Sequence, residues 1–167
     1  MDKAINRAVY NDLPKPGLRL ILERIELSQR GKKSEGTEIA PPLRIEHVLP
    51  QSWSTHWPLQ GKAVPDLTAK YPHLATDEEL APLADDIRQR NRALQTIGNL
   101  TLLNQYLNPA ANNGPFDLKL FKYRNSVLRL NRYFSEFTSW DEHAIETRSK
   151  LIGETLCLIW PRPAVAP

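Results

Sequence analysis

Apolar positions along the chain switch between helical and strand spacing, and that switching outlines the fold. Residues 2–11 and 18–30 repeat at helical spacing. In the second run Leu18, Ile21, Leu22 and Ile25 share one face, and Gly31 stops it. The stretch 31–37 is polar and basic, which predicts an exposed loop. Pro41 and Pro42 exclude helix, so residues 43–48 are the strand expected in the first half. Residues 51–71 show little periodicity. Thr76 with Glu79 then forms a capping-box pattern, opening a helical stretch that Pro82 interrupts and that runs to about Leu94. Residues 97–103 are a second short strand, and residues 108–115 a loop dense in turn formers. The segment 116–134 is the most strongly amphipathic. Leu120, Tyr123, Val127, Leu130 and Phe134 fall on one face, and Lys119, Lys122, Ser126 and Arg129 on another. A last helix is expected over 139–160, opened by Ser139 and Glu142 in another capping box and closed before Pro161. The sum is a mainly α chain with a small β component, an α+β class.

Composition narrows this little. A chain of 167 residues is most simply one domain with a real core. The single cysteine, Cys157, excludes a disulfide framework and a Cys-rich zinc site; its apolar neighbours predict a buried small hydrophobe. No apolar run approaches the roughly 20 residues of a membrane helix, and the N-terminus is not a signal peptide. A reducing, cytoplasmic setting and no membrane partner follow as expectations. The net charge of +3 is mild, but its distribution is two-sided. Lys119, Lys122, Arg124, Arg129 and Arg132 face a single acid, Asp117, over 116–132, whereas Asp77, Glu78, Glu79, Asp85 and Asp86 crowd 76–86 with no cation.

Candidate chemistry sits on the two strands. Ile45-Glu46-His47-Val48-Leu49-Pro50 puts an acid beside a histidine where a proline stops the strand, and Ile97-Gly98-Asn99-Leu100 with Asn108 adds asparagines. A neutral imidazole takes a proton from water near pH 7, and a hard cation bound through a carboxylate and an amide carbonyl makes phosphorus more electrophilic. Glu46 and Asn108 supply those ligands, His47 the base, and Asn99 a brace for the loops. Adjacent strand residues point to opposite faces, so Glu46 and His47 share a site only where the strand ends and twists.

The order strand, acid-His-x-x-Pro, strand with Asn, Asn-rich loop, helix resembles the HNH, or ββα-metal, nuclease motif. More closely, IEHVLPQS, IGNLTLLNQYLN and the Asn113, Phe116, Lys119 series followed by Tyr123 and Ser126 look like the C-terminal nuclease domain of GmrSD-type restriction enzymes, with Trp140 and the stretch 148–160 extending the likeness over about residues 18–160. The resemblance implies His47 as general base and Asn99 as the middle asparagine that orients the metal loops. Asn108, nine residues on, matches the spacing of the metal-ligating asparagine in the HNH domain of RNA-guided CRISPR nucleases, Glu46 takes the acid position, and Asn113 is a possible support. Asparagine stands where the third histidine of the motif often does. The resemblance further implies one Mg²⁺, replaceable by Mn²⁺, and double-stranded DNA, foreign or modified, as substrate. An N-terminal NTPase-like sensing domain in the same protein or a partner subunit, and a bacterial setting, come with it. This chain carries no Gly-rich phosphate loop.

His47 and Asn99 are 52 positions apart, so a single domain over 1–167 divides into N-terminal helices (1–30), a ββα core (43–50 and 97–135), an insertion (51–96) whose acidic helix faces away from DNA, and a C-terminal helix (139–160). Lys119, Lys122, Arg124 and Arg129 are the candidate phosphate contacts. His56, His73 and His143 lack such context and read as surface or packing residues, Asn104 and Asn112 as turn formers, and the four tryptophans as core or interface. Two other readings stand beside the nicking endonuclease: a non-catalytic DNA-binding or assembly module on the same scaffold, and a nuclease directed at RNA.

Overall fold

The computed structural model describes residues 7–30, 43–104 and 113–161. Its helices are α1 (Val9–Asp12), α2 (Lys15–Ser28), α3 (Asp66–Lys70), α4 (Ala84–Ala93), α5 (Phe116–Arg124), α6 (Arg129–Arg132) and α7 (Glu142–Ile159). Two strands, β1 (Leu43–His47) and β2 (Leu100–Asn104), pair antiparallel with Leu43 opposite Asn104 and His47 opposite Leu100. The expected class therefore holds: mainly α, with one small two-stranded sheet. Among the described residues no helix is long and apolar enough to cross a membrane.

The sheet divides two cores. Leu43, Leu100 and Leu102 pack with Leu18, Leu22 and Ile25 of α2 and Ile152 of α7. Leu103 belongs to the other core, with Trp53, Trp57, Ile87, Phe116, Phe134 and Trp140. Strand alternation explains the division, because residues two apart share a face. The same alternation sends Glu46 and His47 to opposite sides of the sheet.

Several local expectations change. The run expected from Thr76 starts later: the Asp77 carboxylate accepts the amides of Glu79 and Leu80 in a turn, and regular helix begins at Ala84. Pro82 lies in the short 3₁₀ turn Ala81–Leu83 leading into it, where its missing N–H breaks no helical bond. The segment 116–134 is not one helix. Asn125 donates to the Phe121 carbonyl, and Ser126 Oγ accepts from the Leu128 amide and the Asn131 side chain, so local side-chain bonds displace the helical ladder. The break leaves Val127 84% exposed instead of on the buried face. At the last helix the cap is Asp141, whose carboxylate accepts the Ala144 amide, not Ser139. Cys157 is exposed, with Leu158 and Trp160 beside it, because α7 buries the opposite face through Ile145, Ser149 and Ile152.

Helix α7 packs on the turn Ile97–Asn99 between the insertion and β2. The approach is close: a methyl group on Gly98 would run into the Ile145 carbonyl oxygen and the Ser149 side chain. The Gly98 amide donates to Ser149 Oγ (3.0 Å), and Arg148 Nη1 donates to the carbonyls of Gly98 and Leu100, each at 2.7 Å. Gly98→Ala is expected to destabilise the domain by about 3 kcal/mol, as overpacking against rigid backbone does. Urea denaturation checks this, and an unchanged midpoint would refute the close-packing account.

Candidate active site

Asn99 is fully buried and uses its whole carboxamide. Oδ1 accepts the Leu49 amide (2.8 Å) and the Trp140 indole N–H (3.2 Å); Nδ2 donates to the carbonyls of Leu49 (2.8 Å) and Leu94 (3.1 Å). Those four bonds exhaust its two donors and two lone pairs. The Val48 amide adds a bond to the Asn99 carbonyl (2.9 Å). Asn99 thus pairs with Leu49 as a strand residue would, and carries the β1–β2 ladder past its last regular pair. It does so because residues 97–99 form a 3₁₀ turn and not the start of β2, as the expected strand over 97–103 implied. Asn99 reaches no solvent, so its part is to hold the chain just after His47.

Glu46 points the other way, toward α5. Its Oε1 accepts Lys119 Nζ at 2.8 Å, and the same ammonium donates to the His47 carbonyl at 2.6 Å. Lys119 is 1% exposed. Burial pushes its pKa down while the Glu46 charge opposes. Lys119, expected as a phosphate contact, lies buried under the strand end, where its ammonium pairs with the acid. Arg124 is exposed, and Lys122 and Arg129 are half-buried, so they retain surface to offer an anion. Asn113 is exposed at the head of α5, and Asn108 lies outside the described residues.

The His47 ring packs edge-on against Tyr10 of α1, centroids 4.3 Å apart and planes at 71°. Burial lowers its pKa from 6.5 to about 4; the Gln95 side chain opposes this, and the charges of Lys119 and Lys15 add to it. The imidazole is neutral at pH 7. Its Nε2 is sealed from solvent without a hydrogen-bond partner, whereas Nδ1 is not so sealed. Tyr10, Lys15 and Gln95 were missed by the sequence reading, since α1 and the end of the insertion meet His47 only in the folded chain. Lys15 is exposed, its Nζ 3.1 Å from the centre of the Tyr10 ring. His56, His73 and His143 are exposed, and Trp53, Trp57 and Trp140 are core residues, as expected; Trp160 is half-exposed.

The residues offer a partial fit to a hard cation. With Oε1 held by Lys119, Oε2 of Glu46 makes no hydrogen bond to the described residues and remains an oxygen donor. Among the described residues, no three of His, Cys, Asp or Glu gather as a metal cluster. A Mg²⁺ site with one carboxylate, an amide and several waters needs no such cluster.

The family model for GmrSD restriction endonucleases, C-terminal domain, matches residues 2–155. Neither the curated proteins nor the solved structures contain a match to the chain.

The neutral ring sets an acid dependence. Unfolded, His47 titrates near 6.5, and folded at about 4, so the unfolded chain binds the extra proton between these values. Its contribution to stability is complete above pH 6.5 and is lost as pH falls toward 4. Urea denaturation at pH 7 and 4.5 should show wild type losing more stability than His47→Gln. Equal losses would contradict the buried, neutral imidazole.

Proposed function

The chain belongs to the family of GmrSD restriction endonuclease C-terminal domains, and on that premise we propose that it is a metal-dependent endonuclease that nicks DNA. The observation that carries the reading is the state of His47: neutral, clamped at a strand end through Asn99, with only Nδ1 open to receive a proton. A water held against Nδ1 gives up its proton as its oxygen attacks phosphorus, and the displaced ester oxygen leaves with one strand cut. A pKa of about 4 makes the isolated ring a weak base, but the negative charge of an approaching phosphate raises it. Asn99 keeps the ring in place, and Lys119 holds the Glu46 carboxylate in one orientation.

Glu46 and His47 are the last two residues of β1, so the two can serve one site only at that strand end. There Glu46 Oε2 and Asn108 would hold one Mg²⁺ or Mn²⁺; its charge would make the phosphorus electrophilic and stabilise the leaving oxygen. Lys122, Arg124 and Arg129 contact backbone phosphates. The substrate is foreign or modified double-stranded DNA in the bacterial cytoplasm, and selection falls to an NTPase-like sensing domain in the same protein or a partner subunit. One observation favours the non-catalytic reading: Lys119 already neutralises Glu46, as a metal would.

Supercoiled plasmid with Mn²⁺ separates the two readings. Nicking is expected from the wild type, abolished by EDTA and reduced by about 1,000-fold in His47→Ala, the usual range for a lost general base being roughly 10²–10⁴. Glu46→Ala should raise the Mn²⁺ concentration needed. Nicking that survives His47→Ala unchanged, or that ignores EDTA, would overturn the assignment.

A further inference from the structure

Four buried side-chain atoms among the described residues lack hydrogen-bond partners, and two of them belong to residues that meet at Tyr10. Nε2 of His47 is sealed and unpaired, and so is Oε1 of Gln95. A buried donor or acceptor left unpaired is costly, and joining the two would remove that cost. The Gln95 side chain acts on the imidazole in the direction expected of an acceptor facing a ring N–H.

Gln95 also reaches the ring through its main chain. Its carbonyl accepts the Tyr10 amide at 3.1 Å, and the Tyr10 ring packs on His47. The residue is fixed from behind as well, its own amide donating to the Arg92 carbonyl at 3.1 Å. It sits just beyond α4, at the close of the long excursion between the strands, and lines a groove of about 570 Å³ with Gln51, Ser52, Lys70 and Asn91.

We propose that Gln95 is a positioning residue for His47: its side-chain carbonyl accepts the Nε2–H of the imidazole and so holds the tautomer in which Nδ1 carries the lone pair. A neutral imidazole has one N–H, and whichever nitrogen finds an acceptor keeps it. Since Nε2 is the sealed nitrogen, an acceptor there turns the basic one toward solvent. The meaning of this for catalysis rests on His47 being the general base. The hydrogen bond does not, and is measured without any reaction.

The test is the imidazole ¹⁵N and ring-proton spectrum of His47 at pH 7 in the wild type, Gln95→Met and Gln95→Glu, beside single-turnover nicking. The wild-type ring should be in the Nε2–H form, with its N–H proton slow to exchange and close to the Gln95 side chain. Gln95→Met, similar in shape without the acceptor, should admit the Nδ1–H form and slow nicking roughly 100-fold, the scale of a misplaced catalytic group. Gln95→Glu keeps an acceptor and should keep the Nε2–H form. A wild-type ring in the Nδ1–H form overturns the proposal, whether or not the variants fold. So does a Gln95→Met spectrum with Nε2–H intact. Should nicking survive His47→Ala while the tautomer still depends on Gln95, the general-base reading fails and the hydrogen bond stands.

Discussion

The pairing of the Asn99 carboxamide with both peptide groups of Leu49 is the constraint from which the rest of the site follows. Those partners are 50 residues apart, so the bonds close a long loop. Such closure costs little more in entropy than a short one, but it needs a firm anchor. The anchor is deep. Trp140 donates to Asn99 from one side, and Arg148 grips the carbonyls on either side of it, Gly98 and Leu100. Because Gly98 lacks a side chain, α7 can lie directly on the turn. His47 sits two residues from the clamped peptide and inherits its position.

Around that clamp, burial and charge treat the two neighbours on β1 differently. Glu46 meets an ammonium that burial has made costly to leave unpaired, so the acid is held through one oxygen. His47 meets a ring face, a carboxamide and two cations, and stays uncharged. An uncharged imidazole is the state in which a histidine can accept a proton. Opposite strand faces separate the two environments: one is built by α5, the other by α1 and Gln95.

Much of this was legible in the chain itself. The strand containing His47, the helix bearing Leu18, Leu22 and Ile25, and the α-rich class all follow from periodicity and proline punctuation. The acid-His-x-x-Pro and Ile-Gly-Asn-Leu motifs pointed to the family that the match over 2–155 establishes. Periodicity failed where side chains bond locally or reach far. It joined α5 to α6 across a break made by Asn125 and Ser126, and placed Asn99 on a strand when a turn aims its carboxamide at Leu49. Lys119 read as a solvent cation because nothing local shows that a long stem will pass under β1. Tyr10 and Gln95 gave no signal, since their proximity to His47 is purely tertiary. Cys157 misled through apolar neighbours that lie on the uncovered side of α7.

The central claim is that clamping Leu49 through Asn99 is what makes His47 competent. It is tested most directly by the single-turnover nicking rate of Asn99→Ala, taken at a temperature where its amide spectrum away from residues 47–49 matches the wild type. The account predicts a rate as low as that of His47→Ala although His47 is intact. A wild-type rate from a chain whose Leu49 amide now exchanges freely with solvent would contradict it.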